Sequence, residues 1–271
     1  MRLVFPTDPA RHGVMTHDAN APAPVAAPPA WRREAVDIAR TLSCALLLVL
    51  VVRTVLFQPF TIPSSSMEPG LVTGDYIVVS KYRYGWSTAS LPFNPPVKPG
   101  RFLARSPARG DVVVFRRPSD PSVAWVKRVV GLPGDTVQVR SGQVFINGRP
   151  VKRTPLGLTQ DHDAPERQVL AVRETLGDGR DHVTYDGGPS QPGDDTDIYR
   201  VPAGRYFVMG DNRDNSLDSR WPAEVGVGLL PAENVIGRAE IVLASWKPGA
   251  GLTRPRTWLN LQTDRFLKPI R

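Results

Sequence analysis

Apolar positions fall into two regimes along the chain. From Val36 to Phe57 the sequence reads VDIARTLSCALLLVLVVRTVLF, with an unbroken apolar run from Cys44 to Val52. As one helix this segment would be about 33 Å long, close to the ~30 Å hydrocarbon core of a bilayer. Arg40 and Arg53 sit toward its ends, where long side chains reach the headgroups. A buried helix of a soluble protein is the competing reading of so short an unbroken run. A cleavable secretory signal fits poorly, because the lead-in is roughly 40 residues and no small-x-small site follows the apolar run.

Beyond this segment the apolar residues alternate in short runs bounded by turn residues. YIVVS (76–80), VVVF (112–115), VAWVKRVV (123–130), TVQV (136–139), VFI (144–146), RYFVMG (205–210) and VIGRAEIVLA (235–244) read as strands. Asn147-Gly148 after VFI is a two-residue hairpin signal. Residues 152–200 break the pattern, being polar and Gly/Asp-rich, with ten acidic residues between Asp161 and Asp197. They read as an inserted, solvent-facing subdomain or long loops reaching to about residue 204. The expected organisation is a tail over 1–35, a transmembrane helix over 36–57 and a mostly β domain over 58–271. The tail contains APAPVAAPPA, a tract that packs no core and reads as disordered.

Composition narrows the picture. The 271 residues include 28 Pro and 23 Gly, which disfavours a helical bundle and suits short strands joined by turns. The net charge of +8 is spread along the chain, which argues against a nucleic-acid partner. A single cysteine excludes an internal disulfide, and four scattered histidines argue against a His-built zinc site. Arg32, Arg33 and Arg40 crowd the N-terminal side of the apolar segment, so the positive-inside rule puts the N-terminus in the cytoplasm and the β domain outside.

Three constellations could carry chemistry. The first is Ser64-Ser65-Ser66-Met67-Glu68-Pro69, either an ordinary loop or a turn that presents one hydroxyl as a nucleophile beside an oxyanion site. The second is Lys127. Strand alternation puts it on one face with Trp125 and Val129, while Val126, Arg128 and Val130 take the other. A lysine on that face either snorkels from an edge or, if buried, loses its charge readily and becomes a base. Arg128, facing away, is expected to be dispensable for such chemistry. The third is MGDNRDNSLDSR (209–220), which lacks the Gly and final Glu of a helix–loop–helix calcium site. It suits an ion-pair loop in which Arg213 and Arg220 meet Asp211, Asp214 or Asp218.

Taken in order, these segments resemble bacterial type I signal peptidase, also called leader peptidase. PFTIPSSSMEPGLVTGDYIVVSKYRYG resembles the family's nucleophile segment, RGDVVVF and VKRVVGLPGD its general-base segment, and GDNRDNSLDSR with VIGRAEIV its last segment. The resemblance implies a mostly β, antiparallel catalytic domain behind one membrane helix, and a Ser/Lys dyad without cofactor or metal. By motif position Ser66 is the nucleophile and Lys127 the base. Ser64 joins the Ser66 backbone N–H in the oxyanion hole, and Ser216 orients the lysine amine. Gly210 leaves room for the lysine, and Asp218 and Arg220 brace the site as an ion pair. Ile62, Leu71 and Val126 are expected in the walls of a pocket for small substrate residues. The implied substrates are signal-peptide-bearing preproteins, cut at the extracytoplasmic face of the inner membrane, in contact with lipid and beside the export machinery. A related protease with one dedicated substrate, such as a pilus precursor, and a catalytically dead anchored binding module are the competing functions.

Overall fold

Pro28 and Pro29 end the tail sequence, and the residues after them, Trp31 to Ala35, are adequate helix formers. The helix α1 accordingly spans Ala30–Val51 and passes into a π-helical turn, Val52–Leu56. It therefore starts six residues before the expected Val36, so residues 30–35 are helix rather than tail. It also stops one residue short of Phe57, which is already extended. A computed structural model describes residues 30–91, 100–177, 179–247, 250 and 254–271, so the remainder of the expected tail lies outside the described residues. The chain divides into two compact units, Met1–Leu46 and Leu47–Arg271. Side chains from Trp31 to Val51 are exposed, and Trp31–Leu56 is long and apolar enough to cross a bilayer.

The second unit is mostly β. Its strands include β1 (Phe57–Thr61), β2 (Asp75–Ser80), β3 (Val112–Arg117), β4 (Asp120–Gly131), β5 (Thr136–Arg140) and β6 (Gln143–Ile146). They continue with β7 (Lys152–Gln160), β8 (Gln168–Leu176), β9 (Arg180–Asp186), β10 (Arg205–Met209), β11 (Leu230–Pro231), β12 (Val235–Ser245) and β13 (Lys268–Pro269). The main antiparallel sheet runs β1-β2-β12-β3-β4-β10-β11, with β13 on β12. Each strand run read from alternation lies within one of these strands, except that RYFVMG runs one residue past β10, which ends at Met209. Asn147 and Gly148 both take positive φ, 52° and 74°, and close the hairpin after β6, as a type I′ turn requires.

The 152–204 region is not a set of loops. Strands β7, β8 and β9 form their own antiparallel sheet. Strand β7 faces solvent as expected, but Val169, Val172, Glu174 and Leu176 of β8 are buried. Apolar side chains of the main sheet, including Ile77, Val79, Val112, Val114 and Val126, pack with Ile62 and Met67. That cluster fixes the loop between β1 and β2 that carries the serines.

Candidate active site

Ser65–Met67 form one 3-10 turn, entered from an extended Ser64 and followed by an extended Glu68. Met67 is fully buried and acts as the turn's anchor. Facing it, Lys127 lies in the middle of β4, paired in register with Val113 of β3. Its amine reaches the serine turn and donates to Ser66 Oγ at 2.7 Å. Ser64 Oγ is 3.4 Å from the same hydroxyl. Lys127 is only 4% exposed. Burial lowers its pKa to about 8, against the pull of the Asp218 and Asp211 charges, which favour the ammonium. A lysine in this state is neutral in a usable fraction of molecules near neutral pH, and a neutral amine accepts the serine proton.

The loop after β10 closes the site. Asn212 N donates to the Ser66 carbonyl, and Asn215 Nδ2 donates to Ser65 Oγ at 2.8 Å. A Cβ on Gly210 would overlap the Ser66 carbonyl oxygen and lie 2.5 Å from Ser216 Cβ. The space this glycine spares is thus occupied first by Ser216 and the serine turn, not by the lysine as expected. Gly210 N donates to Asp218 Oδ2 at 3.0 Å, and Arg220 Nε and Nη2 each bond the Asp218 carboxylate at 2.9 Å. Burial alone would raise the Asp218 pKa; the Arg220 charge and these hydrogen bonds outweigh it and hold the carboxylate below its ordinary range. Ser216 Oγ is buried beside the site with no hydrogen-bond partner, so the expected bond to the lysine amine is not formed in this state.

An apolar cleft of about 470 Å³ opens onto Ser66 and Lys127. Ile62 and Val126 line it as expected, with Ile77, Val114, Trp125 and Trp221. Leu71 does not: it is buried in the core behind the serine turn, against Met67.

Several residues that matter here were not singled out as site residues. Arg128 is buried and bidentate to Asp211, at 2.7 and 2.6 Å, and also donates to the Gly110 and Arg271 carbonyls. It faces away from Lys127, yet it braces the loop that holds Ser66, so it is no bystander. Arg213 pairs with the buried Glu174 of β8 rather than with a carboxylate of its own loop. Tyr185 N donates to the Asp211 carbonyl, Gly187 N to Asp214 at 2.7 Å, and Asn212 Nδ2 to Asp161 at 3.2 Å. The inserted sheet therefore clamps the catalytic loop. Glu68 is fully buried, and its pKa is pushed up to about 8, first by burial and then by the neighbouring Asp161 and Asp163 carboxylates.

A serine hydroxyl held by a buried lysine amine beside an apolar cleft is the apparatus of a serine hydrolase that uses lysine where others use histidine. Residues 35–246 match the family model described as signal peptidase, peptidase S26. Similar curated proteins include signal peptidase I of Rickettsia akari (strain Hartford), 40% identical over 215 residues, covering 76% of this chain and 79% of the relative. Signal peptidase I of Rickettsia typhi (strain ATCC VR-144 / Wilmington) is 40% identical over 208 residues, covering 74% and 76%. A crystal structure of a signal peptidase I from Enterococcus faecalis V583 is 27% identical, covering 49% of this chain and 97% of that one, with a TM-score of 0.29. The chain belongs to the signal peptidase family, peptidase S26.

Proposed function

We propose that this protein is a signal peptidase whose nucleophile is Ser66 and whose general base is Lys127. It is a membrane-associated serine endopeptidase that removes N-terminal signal peptides from exported preproteins. The observation that carries the dyad is the 2.7 Å contact between the Lys127 amine and Ser66 Oγ inside a buried, apolar setting.

The neutral amine takes the Ser66 proton as Oγ attacks the carbonyl carbon at the end of the signal peptide. Negative charge on the carbonyl oxygen is met by the Ser66 backbone N–H and the Ser64 hydroxyl. The C–N bond breaks as the ammonium returns its proton to the leaving amine. Water, deprotonated by the same amine, then opens the ester. This restores the Ser66 hydroxyl and frees the signal peptide with a new carboxylate. Asp218 and Arg220 hold the loop that completes the pocket, and Ser216, whose buried hydroxyl is otherwise unpartnered, is the residue that would orient the amine once it becomes cationic.

The register supports an extended substrate. Among the described residues strand β4 pairs with β10 only at Arg128, Val129 and Gly131, so its stretch before Lys127 keeps one backbone edge without a strand partner there. An added strand there would lay alternate side chains into the cleft lined by Ile62 and Val126. The body lies on the extracytoplasmic side of the bacterial inner membrane, with Pro59 and Phe60 near the lipid and the export machinery close by. Relatives named signal peptidase I favour a general preprotein peptidase over one with a single dedicated substrate. The test is to incubate the purified protein with several unrelated preproteins and sequence the new N-termini. Cuts after small residues at the end of each signal peptide are expected; intact preproteins, or cutting of one only, would overturn the reading.

A further inference from the structure

Two residues past Ser66, the buried Glu68 faces a loop of the inserted region. Its Oε2 accepts from His162 N at 3.1 Å, while Oε1 is buried with no hydrogen-bond partner. That oxygen points at His162 Nδ1, 3.8 Å away, and the same nitrogen is 3.3 Å from Asp163 Oδ1. The three ligand atoms lie within 4.8 Å of one another.

From this geometry we infer that Glu68, His162 and Asp163 form a binding site for a first-row divalent cation such as zinc, which pins the nucleophile turn to the inserted subdomain. Ligand atoms around a tetrahedral zinc ion lie roughly 3.4 Å apart, given metal–ligand bonds of about 2.0–2.2 Å. Two of the spacings, 3.8 and 3.3 Å, are within tenths of an ångström of that value, and the Glu68–Asp163 pair, within 4.8 Å, closes by rotation of the exposed Asp163 side chain. One imidazole with two carboxylates is a donor set suited to zinc or manganese, and less so to calcium or magnesium, which favour oxygen alone.

The remaining oxygens are already held by hydrogen bonds that orient the ligand atoms. Thr73 Oγ1 donates to Asp163 Oδ2, and His162 N occupies Glu68 Oε2. Asp161 Oδ1 accepts from the backbone N–H groups of Asp163 and Ala164, which fixes the loop. Glu68 Oε1 is thereby left without a partner, while Asp163 Oδ1 and His162 Nδ1, now hydrogen-bonded to each other at 3.3 Å, would exchange that bond for the ion. The half-exposed His162 and the exposed Asp163 leave positions for water and a path for entry. Glu68 N donates to the Ser65 carbonyl at 3.0 Å, so a cation here ties the end of the serine turn to the 161–167 loop. The ion is no part of the hydrolytic chemistry, since neither Ser66 nor Lys127 contributes a ligand.

Zinc titration of the chelator-treated full chain in detergent, followed by calorimetry and thermal unfolding, tests this site without reference to cleavage. One equivalent should bind with micromolar or tighter affinity and raise the unfolding temperature. His162→Ala and Asp163→Asn should each weaken binding at least tenfold and abolish the thermal shift. Asp163→Asn, an isosteric change on an exposed side chain, decides the matter where His162→Ala does not fold. No zinc binding by the unaltered chain would overturn the inference. So would affinity within tenfold of wild type in a folded variant, which would place the ion on other histidines such as His12 or His17.

Discussion

A lysine ammonium buried beside Trp125 loses most of its hydration, and the Lys127 pKa falls from the ordinary 10.5 to about 8. Below pH 8 both the folded and the unfolded chain hold this proton, and the desolvation cost is complete, on the order of 3 kcal/mol. Between about 8 and 10.5 the unfolded chain binds more protons than the folded one, so stability from this group rises with pH across that window. Lys81 is lowered to about 8 as well, by burial and by the charges of Arg53 and Arg116, and contributes with the same sign. Comparison with Lys127→Met isolates the catalytic lysine. Met packs in similar space without a charge. Lys127→Met should therefore be at least as stable as wild type near pH 7, with a flatter stability profile from pH 8 to 10; thermal unfolding over pH 6–10 reads this directly. A clear loss of stability at pH 7 would contradict the assigned cost. Preprotein cleavage by the wild type should rise with pH through about 8, as the amine becomes neutral. Ser66→Ala should be as inactive as Lys127→Met and the double variant no worse, because nucleophile and base act as a unit.

At the scale of elements, activity depends on the loop after β10 lying against the serine turn. Gly210→Ala would push a methyl into the Ser66 carbonyl and Ser216. Overpacking of this kind costs about 1–3 kcal/mol, and here it displaces the nucleophile as well. Cleavage should fall by at least a hundredfold while the protein still unfolds cooperatively; near-normal activity would show that the loop is not held this tightly. Arg128→Met should destabilise by about 3–5 kcal/mol, because it strands the Asp211 carboxylate in the interior. Adding Asp211→Asn should recover part of that loss, as denaturant unfolding of the two variants would show. The strands were legible because alternation is a local signal: Val112–Phe115 and Val123–Val130 mark their own faces. The exposure of Lys127 was not, since whether the Trp125 face is buried depends on a serine turn 61 residues away. Pairings such as Arg128–Asp211 and Arg213–Glu174 join residues 83 and 39 positions apart. No local period encodes them. The inserted region reads as a solvent-facing subdomain or long loops because its charges are numerous, yet Glu174 and Asp161 are buried by partners that the sequence does not place.

Over the whole molecule, the membrane helix and the catalytic body are joined by a stretch with contacts of its own. Lys81 Nζ donates to the Thr54 carbonyl at 3.3 Å and to Ser90 at 2.5 Å, Trp86 Nε1 donates to Val55 at 2.7 Å, and Lys81 N to Leu56 at 2.9 Å. A chain beginning at Gln58 keeps every proposed catalytic residue but removes the Thr54, Val55 and Leu56 acceptors. It should cleave preproteins in detergent, yet unfold at lower denaturant than a chain beginning at Val52. The expected difference is about 1–3 kcal/mol, the cost of a stranded buried donor. Equal stability would remove any structural part for residues 52–57. Both shortened chains should still associate with lipid through Pro59 and Phe60. The most direct measurement uses the full chain reconstituted in lipid vesicles, with single-turnover cleavage of a preprotein followed for wild type, Ser66→Ala and Lys127→Met, and the product sequenced from its new N-terminus. Wild type should release the mature protein at the end of the signal peptide, and both variants should leave the preprotein intact although folded. Substantial cleavage by folded Lys127→Met would contradict the assignment of Lys127 as the base.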